Sequence, residues 1–192
     1  YQRHKYDGTI TNSIVYPLTR ALYGKRVRQP IGGDFGFSGR LAKFYLSEDV
    51  WETDVARYGI DIWMTTTAIA NDFKICQAYL GAKIHDPKDP GADLSAMLYQ
   101  VVGSTFDLME TYFDVWKGIA DSRTVPTFGF HYDVGLEPVS VNLERMIDRF
   151  CLGVQELGLI WKDVLPGSLF DFFTDLTGVA QKDFALPDDA WA

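Results

Sequence analysis

The chain has 192 residues and a mass of 21.7 kDa, which bounds it at one compact body or one body with an appendage. Hydrophobic residues make up 47%, charged residues 23% and aromatics 15%, so neither a disordered segment nor a disulfide-stapled miniprotein fits. A net charge of -8, with Lys25, Arg26 and Arg28 as the densest basic cluster, argues against nucleic acid as a partner.

No apolar stretch approaches the ~20 residues that span a bilayer, and no charged-then-apolar leader opens the chain, so no membrane partner is expected. Cys76 falls in a strand-like run and Cys151 in a helical stripe, which predicts buried free thiols and a cytoplasmic protein. The first residue is Tyr1 rather than Met, and the expectation is a piece of a longer protein.

In chain order, Ile10, Ile14, Val15, Leu18 and Leu22 recur at helical spacing and predict a helix over 9–23, stopped by Gly24. Pro17 inside it predicts a kink or a division into two pieces. The stretch 29–38 holds Gly32, Gly33 and Gly36, which permit close backbone approaches. Helices are predicted over 38–46 and 61–70, the second entered through Tyr58, Gly59 and Ile60 with Asp61 as its cap.

Residues 73–84 read as a strand, with Phe73, Ile75, Gln77 and Tyr79 on one face and Lys74, Cys76, Ala78 and Leu80 on the other. A Pro- and Asp-rich turn follows over 85–90. Two long apolar stripes predict helices over 94–119 and 139–165, able to pair antiparallel across a loop over 121–138. Pro166 ends the second, and Phe170, Phe172, Phe173 and Leu176 predict a short last helix.

No Walker loop, dinucleotide-binding glycine fingerprint, nucleophile elbow or paired-cysteine motif is present. The weaker candidates are carboxylates and one imidazole. His85 ends a predicted strand beside Asp86 and Asp89, a position suited to a metal ligand, although a lone His there is more often incidental. Asp34 follows two glycines and Asp61 opens a helix, so both carboxylates stand where backbone can approach a ligand, but a turn-stabilising role and a helix cap are the favoured explanations on spacing alone. Arg3, Asp7 and Thr11 are spaced by four, as on one helical face, but Gly8 argues against a helix starting that early. Trp63, Tyr58, Trp51 and Phe35 read as core or rim aromatics.

Five segments in order carry a resemblance: Tyr6-Asp-Gly-Thr-Ile-Thr11, Tyr16-Pro-Leu-Thr-Arg-Ala-Leu-Tyr-Gly24, Gln29-Pro-Ile-Gly-Gly-Asp-Phe-Gly36, Tyr58-Gly-Ile-Asp61 and Ala82-Lys-Ile-His85. Together they resemble the nucleotide-sugar glycosyltransferases that make glucosylglycerate or mannosylglycerate, and the glucosyl-3-phosphoglycerate synthases. The fold class this implies is helix-rich α+β: residues 1–91 as the acceptor- and metal-side part of a glycosyltransferase A (Rossmann-like) catalytic domain, and 92–192 as a helical C-terminal extension. The family's nucleotide-binding half, with its Asp-x-Asp motif, is not in this sequence.

The resemblance further implies His85 as ligand to Mg²⁺ or Mn²⁺ and Asp61 as the acidic residue beside the acceptor hydroxyl. Arg3, Asp7, Thr11 and Tyr58 match acceptor-binding positions, and Asp34 is a further candidate. Where the phosphoglycerate branch has an Arg two residues before the matching Thr, this chain has Thr9, and a hydroxyl cannot replace a guanidinium's bidentate grip on phosphate. The implied reaction is transfer of a hexose from a nucleotide sugar to glycerate or a similar small hydroxy acid, with the isolated piece inactive. The alternative expectation is a helical interaction or oligomerisation module, a homodimer through the two long stripes.

Overall fold

The computed structural model describes residues 1–2, 8–82, 94–131 and 141–186. Among them helices dominate, accompanied by two-residue strands, so the protein is helix-rich α+β. Contacts divide the chain into two compact units, Tyr1–Lys88 with Asp93–Val139, and Asp89–Ala92 with Ser140–Ala192.

The first unit begins with a π-helical segment, Thr11–Val15, that runs directly into α1 (Tyr16–Tyr23). Pro17 explains the change of register. Its ring crowds the carbonyl four residues back, and the widened turn, in which the Tyr16 N–H donates to the Thr11 carbonyl, relieves that clash without breaking the helix. The expected kink is therefore a register change. Gly24 ends α1 in the left-handed conformation at φ 62°, as its position in the pattern predicts.

After Gly24, β1 (Lys25–Arg26) leads to α2 (Gly39–Ser47), whose first turn is capped by Ser38 Oγ accepting from the Leu41 N–H at 3.2 Å. A single 3₁₀ turn, Asp54–Ala56, precedes α3 (Ile60–Ala70). α3 buries Ile62, Trp63, Thr65, Thr66, Thr67, Ala68 and Ile69, so nearly its whole circumference is packed. It closes with Asp72 at φ 57°, the Phe73 N–H donating to the Ala68 carbonyl at 3.0 Å and the Asp72 N–H to Ile69 at 3.2 Å.

The stretch predicted as one strand is extended but pairs only briefly. β2 (Gln77–Ala78) lies parallel to β4 (Thr127–Phe128), and Gln2 and Ala82 form an isolated parallel bridge. The predicted alternation holds from Phe73 to Ala78, odd positions half-buried and even positions exposed. Cys76 is on the outward side and is exposed rather than buried; Cys151 is half-buried, and both thiols are free.

Two further expectations are corrected. The segment after residue 120, expected as a loop, contributes β3 (Arg123–Thr124), parallel to β1, as well as β4; two-residue strands are too short for any periodicity to announce them. The helix expected over 94–119 is α4 (Ser95–Thr111), a break at Tyr112, and the single turn α5 (Phe113–Trp116). α4 places Val101 and Leu108 in one core with Val15, Leu41, Tyr45, Ile62 and Trp63. It thus packs with the segments before residue 91, and the contacts divide the chain near residue 139. The two long helices expected to pair fall in different units.

The second unit is built on α6 (Leu143–Val164) and α7 (Gly167–Leu176), separated by Pro166. Asn142 caps α6, its side-chain oxygen accepting from the Arg145 N–H at 2.9 Å. The helices pack through edge-to-face aromatics, Phe150 on Phe173 at 5.6 Å and Trp161 on Phe173 at 6.2 Å between ring centres. Among the described residues, no helix is long and apolar enough to cross a membrane.

The approach of α3 to α4 supplies a test. A Cβ on Gly59 would fall against the Ser104 side chain and 2.8 Å from the Asp54 carbonyl oxygen. Gly59→Ala is expected to destabilise the protein by about 1–3 kcal/mol, read as a lowered midpoint in urea, because neither helix can yield without opening the core.

Candidate functional site

The glycine-rich stretch is anchored at its start and open at its middle. Pro30 is fully buried, its carbonyl accepting from Thr65 Oγ1 at 2.7 Å, and Gln29 Nε2 donates to the Tyr1 carbonyl at 2.6 Å. Arg28 fixes the approach: its N–H donates to Gln77 Oε1 at 2.8 Å, its Nη2 to Asn12 Oδ1 at 2.9 Å, and its guanidinium lies 4.9 Å from the centre of the Tyr16 ring. Residues 33–38 are exposed, with Gly33 at φ 82°, so the open stretch presents main chain to solvent.

The predicted site residues are placed unevenly. Asp61 sits half-buried in the first turn of α3, but Gly59 occupies the cap position, so the carboxylate faces the positive end of the helix from inside it. Thr65 follows Asp61 by four residues, on the same face, and reaches Pro30; the side of α3 that carries Asp61 is therefore the side turned to the glycine-rich stretch. Thr11 is buried in the π-helical segment at 5% exposure. Tyr58 is exposed, its N–H donating to Gln100 Oε1 at 3.3 Å, and Asp34 is exposed beside Gly33. Arg3, Asp7 and His85 lie outside the described residues. Their described neighbours nevertheless meet, since Gln2 pairs with Ala82 and its N–H donates to the Gly81 carbonyl at 2.8 Å.

An aromatic chain backs α3. Trp63 is buried and packs on Tyr45 at 4.9 Å and on Trp51 at 5.5 Å; Phe37 meets Tyr45 edge-on at 5.7 Å. Trp63 is core, whereas Trp51, Phe35 and Tyr58 are partly exposed. Their arrangement matches the core-and-rim reading.

The anchors Gln29, Thr65 and Gln77 were not among the candidates. The three consecutive threonines in an otherwise apolar helix were the one available signal, because buried hydroxyls require acceptors. Thr66 Oγ1 and Gln29 Oε1 are buried without a hydrogen-bond partner among the described residues. No group of three or more His, Cys, Asp or Glu suited to a metal ion occurs among the described residues. What is present is a half-buried carboxylate in the first turn of a helix that Thr65 ties to Pro30 at the start of the glycine-rich stretch, and a carboxylate oxygen can accept a hydrogen bond from a ligand hydroxyl.

Compared with protein-family models, curated proteins and solved structures, the chain matches none.

Burial first, and the neighbouring Tyr112 second, push the Tyr45 phenol up from its ordinary value to about 12. Tyr45 also donates to the Met64 carbonyl at 2.6 Å, which requires the proton. Tyr23, bonded to the Leu108 carbonyl at 3.2 Å, is raised for the same reasons. A phenol raised in the folded state stabilises fully below the unfolded value, near 10, and that contribution is lost as pH rises toward the folded value. The melting temperature is expected to fall between about pH 10 and 12, and Tyr45→Phe to fall less steeply over that window. A parallel decline in both proteins would rule Tyr45 out as a source.

Proposed function

We propose that this chain forms the acceptor- and metal-binding part of a glycosyltransferase of glycosyltransferase A fold, which transfers a hexose from a nucleotide sugar to glycerate or a similar small hydroxy acid. The observation that carries the reading is convergence. Residues in or beside the segments of the sequence resemblance are tied to the glycine-rich stretch or to one another: Gln29 holds Tyr1, Arg28 holds Asn12 and lies over the Tyr16 ring, Pro30 holds Thr65 one turn beyond Asp61, and Gln2 pairs with Ala82.

In this reading Asp61, in the first turn of α3, accepts a hydrogen bond from the acceptor hydroxyl and orients it. Thr11, Tyr58, Arg3 and Asp7 bind the acceptor, and Asp34 lies on the open edge of the glycine-rich stretch. His85 is the ligand this chain offers to Mg²⁺ or Mn²⁺, an ion that when bound neutralises a diphosphate leaving group. Positioning and electrostatics carry the rate, since no nucleophile is required of the chain itself.

The experiment is turnover by the protein expressed from its complete coding sequence, with nucleotide hexoses, glycerate and Mg²⁺ or Mn²⁺. Asp61→Asn is expected to lower kcat by about 100-fold or more with the fold intact, and His85→Ala to remove metal-dependent turnover. Unchanged activity in both variants would sink the assignment.

A second reading, association of two copies through the helical part, is favoured by α6, where Leu159 is 85%, Val164 71% and Ile160 62% exposed. Sedimentation would then show a dimer at low concentration that Leu159→Lys with Ile160→Lys converts to a monomer. A wild-type monomer at all concentrations refutes it.

A further inference from the structure

The cations at the end of α1 and along β1 play no part in the glycosyl-transfer reading, yet they are gathered tightly. Arg20, in the last turn of α1, and Arg26, in β1, both donate from Nε to a single acceptor, Ser122 Oγ, at 3.3 and 3.1 Å. Gly24 makes this convergence possible. A Cβ there would lie 2.7 Å from the Asp121 carbonyl oxygen, and the Gly24 carbonyl accepts from the Arg123 N–H at 2.9 Å, so the segment 121–123 lies directly against the turn. The parallel register then places Lys25 beside Arg123.

Two guanidiniums thus meet at Ser122, and two further cations, Lys25 and Arg123, are paired in the same short ladder. Among the described residues none of them makes an ion pair within 4.0 Å, and the adjacent acid, Asp121, directs its carboxylate to the Ser122 N–H at 2.6 Å. Like charges side by side weaken a strand pair, and a two-residue ladder has little to offset that cost. A hydroxyl is a neutral acceptor with two lone pairs, and here it serves two guanidiniums. Each guanidinium has five N–H donors, of which only Nε is engaged among the described residues, leaving the terminal amino groups of Arg20 and Arg26 available side by side.

We propose that Arg20 and Arg26, joined at Ser122, bind the phosphoryl group of a small soluble metabolite, with Lys25 and Arg123 of the same ladder adding positive charge nearby. A tetrahedral dianion offers several acceptors to paired guanidinium forks and supplies the charge that the cluster lacks. The remainder of the molecule favours a small ligand over a polyanion: the net charge is -8, and the sequence holds no denser basic cluster than the one at 25–28. The proposal does not rest on the glycosyl-transfer reading, and its test needs neither nucleotide sugar nor acceptor.

The test uses the complete protein at low ionic strength with inorganic phosphate and pyrophosphate as probes, followed by calorimetric titration and by the melting temperature. Phosphate is expected to raise the melting temperature above that in sodium chloride of equal ionic strength. Arg20→Gln and Arg26→Gln should each weaken phosphate binding by about 10-fold. Arg20 is exposed and in no ion pair among the described residues, so Arg20→Gln decides the question even if Arg26→Gln fails to fold. An equal shift with chloride, a titration unchanged in Arg20→Gln, or binding to phosphatidic acid vesicles without binding to free phosphate would each overturn the proposal.

Discussion

The first unit depends on the approach of α3 to α4 at Gly59. With only a hydrogen at that position, the start of α3 lies against Ser104 and the Asp54 carbonyl. Because α3 is packed on nearly every side, its hydroxyls must find acceptors inside the protein. Thr65 takes the Pro30 carbonyl, which ties the glycine-rich stretch to the helix that carries Asp61. Core packing and the geometry of the candidate site are consequently one problem: whatever shifts α3 along α4 moves the carboxylate relative to the open main chain.

Around this centre the sheet is minimal. Each paired strand has two residues, so the backbone ladders supply little by themselves and side chains extend them. Gln77 illustrates this: its side chain accepts from the Arg28 N–H and donates to Thr127, linking β2 both to the glycine-rich stretch and to its partner strand. Arg28 plays a similar part between the first helix and that stretch. Such edges open at lower cost than a helix buried on all sides, which suits segments that receive ligands. The cationic cluster at β1 and β3 occupies one of these edges.

The second unit follows simpler rules. α6 carries one apolar stripe that buries Ile147 and Val154, and α7 folds against it through Phe173. Yet α6 also exposes Leu157, Leu159, Ile160 and Val164 on its remaining surface, more apolar area than an isolated hairpin of helices needs. A transferase that associates through its helical part would use both features, and the two functional readings are compatible for that reason.

Much of this was legible in the residues. The helix spacing of Ile10, Ile14 and Leu18, the disturbance at Pro17, the stop at Gly24 and the in-out alternation from Phe73 to Ala78 are local properties, set by sterics and hydrogen bonding within a few residues. The order of the glycine-rich stretch, Tyr58-Gly-Ile-Asp61 and the approach to His85 was likewise visible before any fold. What only the tertiary structure decided was which of these meet. The return of 121–128 as two parallel strands, the placement of α4 with the segments before it, the Gly59 contact and the sharing of Ser122 by Arg20 and Arg26 all join residues far apart in the chain. Periodicity records which face of a segment is apolar; it carries no information on what that face will touch, because that is settled by packing all faces together at once.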